Sequence, residues 1–296
     1  MSGSVRFRLV IACLVVAVGF VVPVTPAGAA ALTEADAVAA FAPVVRLHPN
    51  EWLHPMNPGD FIARSTLNYA RSLRGDARDI VGMGEIDAGR LGRGGYTYDG
   101  RRTNQNERPR DGSGNGFFLN LDNDARGGTP GRPVGAFYEF VPGRWLTYWF
   151  FYGYSHSEDP IAHEGDWERI SIRLKSDNRP ARVAFFQHDG ACSLPWSDIS
   201  TTAGSHPVVY SGLGDHASYH RVGIFKHTRN QGTDHTADGG RQWRTGDALY
   251  DATTRPWYGY GGAWGEVGHI SSTTGPAGPK FQPLDPDSAF GGKRCD

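Results

Sequence analysis

The stretch Trp145-Leu146-Thr147-Tyr148-Trp149-Phe150-Phe151-Tyr152-Gly153-Tyr154 decides the fold. It is aromatic and apolar almost without interruption, yet too short for a buried helix of ordinary length and rich in β-formers. It reads as a central core strand; an exposed aromatic belt at a membrane is the other reading. Around it the chain repeats one pattern of short apolar runs cut by Gly, Pro, Asn and Asp. Strands are predicted over 116–121, 134–141, 146–154, 167–174, 182–188, 207–211 and 219–225, with turns such as Asp122-Asn123-Asp124, Pro142-Gly143 and Asp189-Gly190 between them. Only one helix is expected, over 33–41, where Thr33 can cap an Ala-rich segment. The segments 89–116 and 230–246 read as long polar loops, and 275–286 as an irregular packed tail. The expectation is an all-β chain, a single β-sandwich or jelly-roll-like domain over 32–296 with long Gly-rich loops.

Composition points the same way. Among 296 residues there are 40 Gly and 19 Pro, about a fifth of the chain against a usual ~12%. Such a content disfavours long helical bundles, since each Gly costs ~1 and each Pro ~3 kcal/mol inside a helix. The charge balance of −1 offers no basic footprint for nucleic acid. The first residues stand apart from the fold. Arg6 and Arg8 precede the apolar run 9–22, followed by Pro23, Pro26 and Ala27-Gly28-Ala29-Ala30-Ala31. This is the order of a cleaved secretory signal over 1–31; an anchor is the alternative, but the run falls short of the ~20 residues needed to span a bilayer. The mature chain is then expected to be secreted, without a transmembrane segment. Cys13 leaves with the leader, and Cys192 and Cys295 remain as a disulfide in an oxidising compartment or as two free thiols.

The densest chemistry lies in Ala162-His163-Glu164-Gly165-Asp166-Trp167-Glu168. If a strand begins near Trp167, Asp166 and Glu168 share one face, and Ile170, Ile172 and Leu174 continue it. Carboxylates on a core-facing row need a cation. One reading makes His163, Asp166 and Glu168 ligands of a hard divalent ion, Ca²⁺, Mg²⁺ or Mn²⁺; the other pairs the acids with Arg169 or Arg173. A second cluster is His206-Pro207-Val208-Val209-Tyr210 with Gly214-Asp215-His216-Ala217-Ser218-Tyr219-His220. Asp215, His216 and Ser218, with His188 at the end of another strand, are candidate ligand contacts; turn capping is the plainer role for His216 and Ser218. The chain has no G-x-S-x-G elbow. Asp122-x-Asp124 has Arg126 at the third ligand place, so an EF-hand loop fails. No catalytic residue is assigned from sequence; a metal-dependent hydrolase of a sugar or phosphoester would need Glu164 or His216 as base. A third possibility is a structural module with no ligand.

Five stretches together resemble the vacuolar protein sorting-associated protein 62 family. They are Phe41-Ala42-Pro43-Val44-Val45-Arg46-Leu47-His48-Pro49-Asn50-Glu51, the strand ending Phe151-Tyr152-Gly153-Tyr154, the His163–Glu168 string, the His206–Tyr210 and Gly214–Tyr219 pair, and Gly262-Ala263-Trp264-Gly265 with Gly275-Pro276-Ala277-Gly278-Pro279. Asp215 stands where that pattern usually has Ser, and the resemblance implies no activity. The string from Ala162 to Glu168 is also similar to the G-H-R-H-D-W-E heptad of necrosis- and ethylene-inducing peptide-like proteins, secreted β-sandwich cytolysins that carry a divalent ion and bind sphingolipid heads. That likeness implies a metal role for His163, Asp166 and Glu168. Ala162, Glu164 and Gly165 replace the heptad's Gly, Arg and second His, and Glu158 or Asp159 would stand for a further upstream Asp. The combined expectation is a secreted protein that binds a divalent ion and a polar surface ligand, a glycan or a lipid head group; a membrane-active, toxin-like role is a further alternative.

Overall fold

A computed structural model describes residues 30–71, 77–105, 107, 109, 115–156, 161–188, 190–226 and 232–296. Most of the leader, Glu158, Asp159 and the turn residue Asp189 lie outside the described residues.

The fold is all-β, as its punctuation predicts. A central sheet runs in the order Leu249–Asp251, Ala136–Val141, Trp145–Ser155, His163–Leu174, Pro180–Gln187, Gly190–Pro195 and Lys293–Arg294. Its five inner strands pair antiparallel, and each outermost strand joins in parallel. One face is covered by a sheet of Thr201–Thr202, His206–Ser211, Val44–Arg46 and Gln242–Arg244, with Ser218–Tyr219 paired to His206–Ser211. The other is covered by Ala263–Trp264, Gly116–Leu121, Ser65–Ala70 and Ala77–Val81. The central sheet is therefore buried on both sides, which explains why Trp145–Ser155 lacks a polar period.

The alternation of that strand splits the interior into two cores. Leu146, Tyr148, Phe150 and Tyr152 pack with Ile170, Ile172 and Leu174 against Val45 and Val209. Trp149 and Phe151 pack with Trp167 against Leu67, Leu119 and Trp264. Trp149, Phe150, Phe151 and Tyr152 are each 1% exposed, so this run is core and not an exposed belt. No helix among the described residues is long and apolar enough to cross a membrane.

The helix Glu34–Ala40 forms where expected, with the Thr33 hydroxyl accepting from the Asp36 amide at 3.1 Å. The expected strand over 219–225 is broken: Ser218–Tyr219 and Gly223–Lys226 belong to different sheets. The two segments read as loops also hold structure. The first contains the helix Ala88–Gly92 and a small hairpin, and the second the strands Thr233–Thr236 and Gln242–Arg244. These pieces are polar, and pairing makes them strands: Thr233–Thr236 forms a hairpin with Gly223–Lys226, and Gln242–Arg244 pairs with the sequence-distant Val44–Arg46. Cys192 and Cys295 form a disulfide across a sequence separation of 103, with Cα atoms 4.8 Å apart. It holds the tail strand Lys293–Arg294 beside Gly190–Pro195.

Candidate functional site

The site grows from the strand His163–Leu174. Its register sets Asp166 opposite Tyr152 and Glu168 opposite Phe150, on the row that continues into Ile170, Ile172 and Leu174. This shared row is the one that the alternation implies. Glu164, two residues before Asp166, should share it and does not. Gly165 between them has φ +62°, and an added Cβ would meet the Trp264 carbonyl oxygen at 1.8 Å. Across that left-handed step the Glu164 carboxylate turns to the opposite layer. There it accepts from the Leu121 amide at 2.9 Å and the Glu266 amide at 3.1 Å and pairs with Arg126 at 2.8 Å. Glu164 is thus a structural anchor, 2% exposed, and burial raises its carboxyl pKa. The His163 ring stays local, its Nδ1 lying 2.9 Å from the Gly165 carbonyl oxygen.

No ion pair joins Arg169 or Arg173 to Asp166 or Glu168 among the described residues. Arg169 donates to the Leu284 carbonyl at 2.6 Å and lies over the Trp149 and Phe186 rings; burial lowers its pKa to about 10. The partner of Asp166 is a histidine. His216 Nδ1 lies 2.8 Å from Asp166 Oδ2, and Nε2 lies 3.6 Å from Glu51 Oε2. The ring stacks on Tyr152 at 3.7 Å between centroids and 3° between planes. Burial opposes its charge, but Asp166 and Glu51 outweigh burial and raise its pKa. The loop that presents His216 depends on backbone geometry: His216 itself has φ +59°, and a Cβ on Gly214 would meet the His156 carbonyl oxygen at 1.9 Å. Glu51 closes the loop by accepting from the Gly214 amide at 2.7 Å and the Leu53 amide at 2.8 Å.

All five stretches singled out in the sequence therefore converge. Glu51, Tyr152, Asp166 and the Gly214–Tyr219 loop meet at His216, and Trp264 seals the turn at Gly165.

Beside this buried node lies a second group. His188 Nε2 is 3.3 Å from Asp234 Oδ2 and 3.8 Å from Asp215 Oδ2. The three side chains offer ligand atoms all within 4.8 Å of one another. Asp215 and Asp234 are 3% and 1% exposed, while the His188 side chain is 23% exposed. The Tyr219 hydroxyl donates a short hydrogen bond to Asp234. Burial works against a charge on His188, yet Asp215 and Asp234 push its pKa up to about 11. Burial, with Asp234 beside it, pushes Asp215 up to about 8. Burial acts upward on Asp234 too, but His188 and Asp215 hold it below the usual carboxylate range. Glu168 faces the same group, and burial and the Asp166 carboxylate raise it well above its ordinary value. Ser218 contributes its carbonyl oxygen, which accepts from Gln187 Nε2 at 2.7 Å; its hydroxyl is buried without a hydrogen-bond partner among the described residues.

His163, Asp166, Glu168 and His188 line one cleft of about 430 Å³, with Phe186 and Gln187 on one wall and the strap residues Pro276, Gln282, Pro283 and Leu284 on the other. Glu164 and His216 do not line it. His163, Asp166 and Glu168 share this cleft, but among the described residues their ligand atoms are not a set that lies within 4.8 Å of one another. The other such set, Cys192, His220 and Cys295, contains the disulfide sulfurs. Asp234 carries no strand signal in the sequence: Thr233-Asp234-His235-Thr236 is polar throughout, and its pairing with Gly223–Lys226 makes it a strand.

No family model matches the chain, and no curated protein matches it. Among solved structures, it is similar to one described as a toxin fold for microbial attack and plant defense, at 14% identity and TM-score 0.35, over 78% of this chain and 81% of that one. It is similar at 14% identity and TM-score 0.35 to NLPPya in complex with mannosamine, again over 78% and 81%. It is also similar to necrosis and ethylene inducing protein 2 from the causal agent of cocoa's witches' broom disease, at 13% identity and TM-score 0.34, over 75% and 76%. Proteins of the necrosis- and ethylene-inducing group are thus among the solved structures it is similar to, at a distance that these scores make plain.

Proposed function

We propose that this protein is exported after loss of residues 1–31 and binds a divalent ion together with a polar surface ligand, a glycan or a lipid head group. The ion is held by His188, Asp215 and Asp234, with Glu168 facing it. One observation carries the reading: an imidazole and two carboxylates with ligand atoms within 4.8 Å of one another, the imidazole, His188, lining the cleft with Glu168 and the two carboxylates buried behind it. That donor set suits Mn²⁺, Ca²⁺ or Mg²⁺, which favour carboxylate oxygens and, for Mn²⁺, tolerate an imidazole. The ion, when bound, would supply the charge that orients hydroxyl or phosphate oxygens of the ligand. His163 and Asp166 then act from the cleft wall, with Asp166 held by His216. The disulfide and the leader pattern support export, and the convergence of the five stretches supports a protein of the vacuolar protein sorting-associated protein 62 type. Binding, not turnover, is the reading favoured here, because neither base that a hydrolase would need reaches the cleft.

The test is calorimetric titration of the mature chain with Mn²⁺, Ca²⁺ and Mg²⁺. Saturable binding is expected for at least one ion, weakened at least tenfold in His188→Ala and in Asp234→Asn. A second reading is favoured by His188 Nε2 lying 3.3 Å from Asp234 and 3.8 Å from Asp215: an imidazolium that ties two carboxylates together with no ion at all. On that reading none of the three ions gives saturable heat, while His188→Ala still unfolds at lower urea.

A further inference from the structure

A different face of the molecule carries a cavity of about 190 Å³ that plays no part in the cleft. Its walls include Arg132, Arg241 and Arg244, and Asp247 is the sole acid among its lining residues. The side chains of Arg132 and Arg244 make no hydrogen bond and no ion pair among the described residues. Arg241 is held by neutral groups: it donates to the Glu51 carbonyl at 2.9 Å and the Leu53 carbonyl at 2.7 Å, and it touches the His54 ring. Three guanidinium charges therefore meet with one carboxylate to balance them. Burial and then Arg241 lower the pKa of His54, against the opposing pull of Glu51. Trp243 gives the cavity a flat apolar wall, itself fixed by donating from its indole to the Val134 carbonyl at 3.0 Å.

We propose that this cavity is an anion-binding site, in which Arg132 and Arg244 clasp the compact oxyanionic group of an acidic ligand, a carboxylate or a phosphate or sulfate ester. Guanidinium groups present paired N–H donors that match such oxyanions, and their charge does not titrate away. Like charges gathered along one concave surface attract a bound anion, which relieves their mutual repulsion. Arg241 holds the floor of the site, because its donors are already committed to the loop that carries Glu51. The cavity's size admits a single acidic sugar or a phosphate with its ester carbon, with the ring lying on Trp243.

The experiment titrates inorganic phosphate, sulfate and glucuronate into the mature chain by calorimetry at constant ionic strength. Saturable binding of at least one anion is expected, at least tenfold weaker in the double variant Arg132→Ala/Arg244→Ala. Both side chains are exposed, so this variant should keep its circular dichroism spectrum. Lys293→Ala, which removes a cation from another face, should leave binding unchanged. Preference for glucuronate identifies a carboxylate ligand; preference for phosphate or sulfate identifies an ester. The absence of saturable binding for all three overturns the proposal, as does equal binding by the double variant. Divalent ions are omitted, so failure here leaves the ion site untouched.

Discussion

At the scale of single residues, the string His163–Glu168 divides its labour by one glycine. Glu164 is buried in an ion pair and two backbone hydrogen bonds on one side of the sheet, and Asp166 is bonded to His216 on the other. Removing one partner of a buried pair strands the other groups, so Glu164→Ala should cost roughly 3 kcal/mol in urea unfolding. It should leave ion titration of the folded protein unchanged, because Glu164 is not in the cleft. Gly165→Ala combines a left-handed φ of +62° with a clash against the Trp264 carbonyl. A destabilisation of roughly 2–5 kcal/mol follows, visible as a lowered thermal midpoint. A variant as stable as the wild type would show that the turn at Gly165 is not required.

At the scale of elements, Trp145–Ser155 and His163–Leu174 hold the molecule together by burying both faces of one strand pair. Phe151 touches Phe61, Trp167 and Trp264, with ring centroids 5.2, 4.5 and 5.4 Å away. Phe151→Ala should therefore cost roughly 3–5 kcal/mol, the range for emptying a packed aromatic site. Phe150→Ala opens the other core and should cost a similar amount. If either variant unfolds within 1 kcal/mol of the wild type, the two-sided burial of this strand is wrong. Trp145–Ser155 is legible in the sequence because its apolar content exceeds what any loop needs, and Trp167–Leu174 because it alternates; the strand's earlier residues, from His163, are polar and join it through pairing with Tyr152–Ser155. The strands Val44–Arg46 and Thr233–Thr236 are not legible. Val44–Arg46 carries β-branched residues but is only 3 residues long, and its partners His206–Ser211 and Gln242–Arg244 lie far away in the chain. Thr233–Thr236 is polar throughout and shows no apolar alternation, although its partner Gly223–Lys226 is near.

At the scale of the whole molecule, the tail is tied back into the central sheet by Cys192–Cys295. Cross-linking a loop of about a hundred residues restricts the unfolded chain by about 4–5 kcal/mol in the chain-entropy model. The double variant Cys192→Ser/Cys295→Ser should lose stability on that order in urea, with the fold retained at low denaturant. A loss below 1 kcal/mol would mean that the tail contributes little to the native state.

Local pattern in the sequence is enough for the strand-rich class, the core strand, the capped helix Glu34–Ala40 and the residue types gathered at the cleft, but not for the short helices Pro58–Ala63, Ala88–Gly92 and Pro286–Phe290. Alternation placed Asp166 and Glu168 on one row, because side chains on a strand must alternate wherever the backbone is regular. Only the tertiary structure decided which partners those residues meet. It turned Glu164 away through the φ of Gly165 and gave Asp166 to His216. It also brought Asp234, from a segment that looked like a loop, to His188 and Asp215. The physical reason is range. Alternation and capping act within a few residues, where one sequence suffices to read them. The pairing of buried charges is settled by groups dozens to hundreds of residues apart, each of which must find a counter-charge once burial removes water.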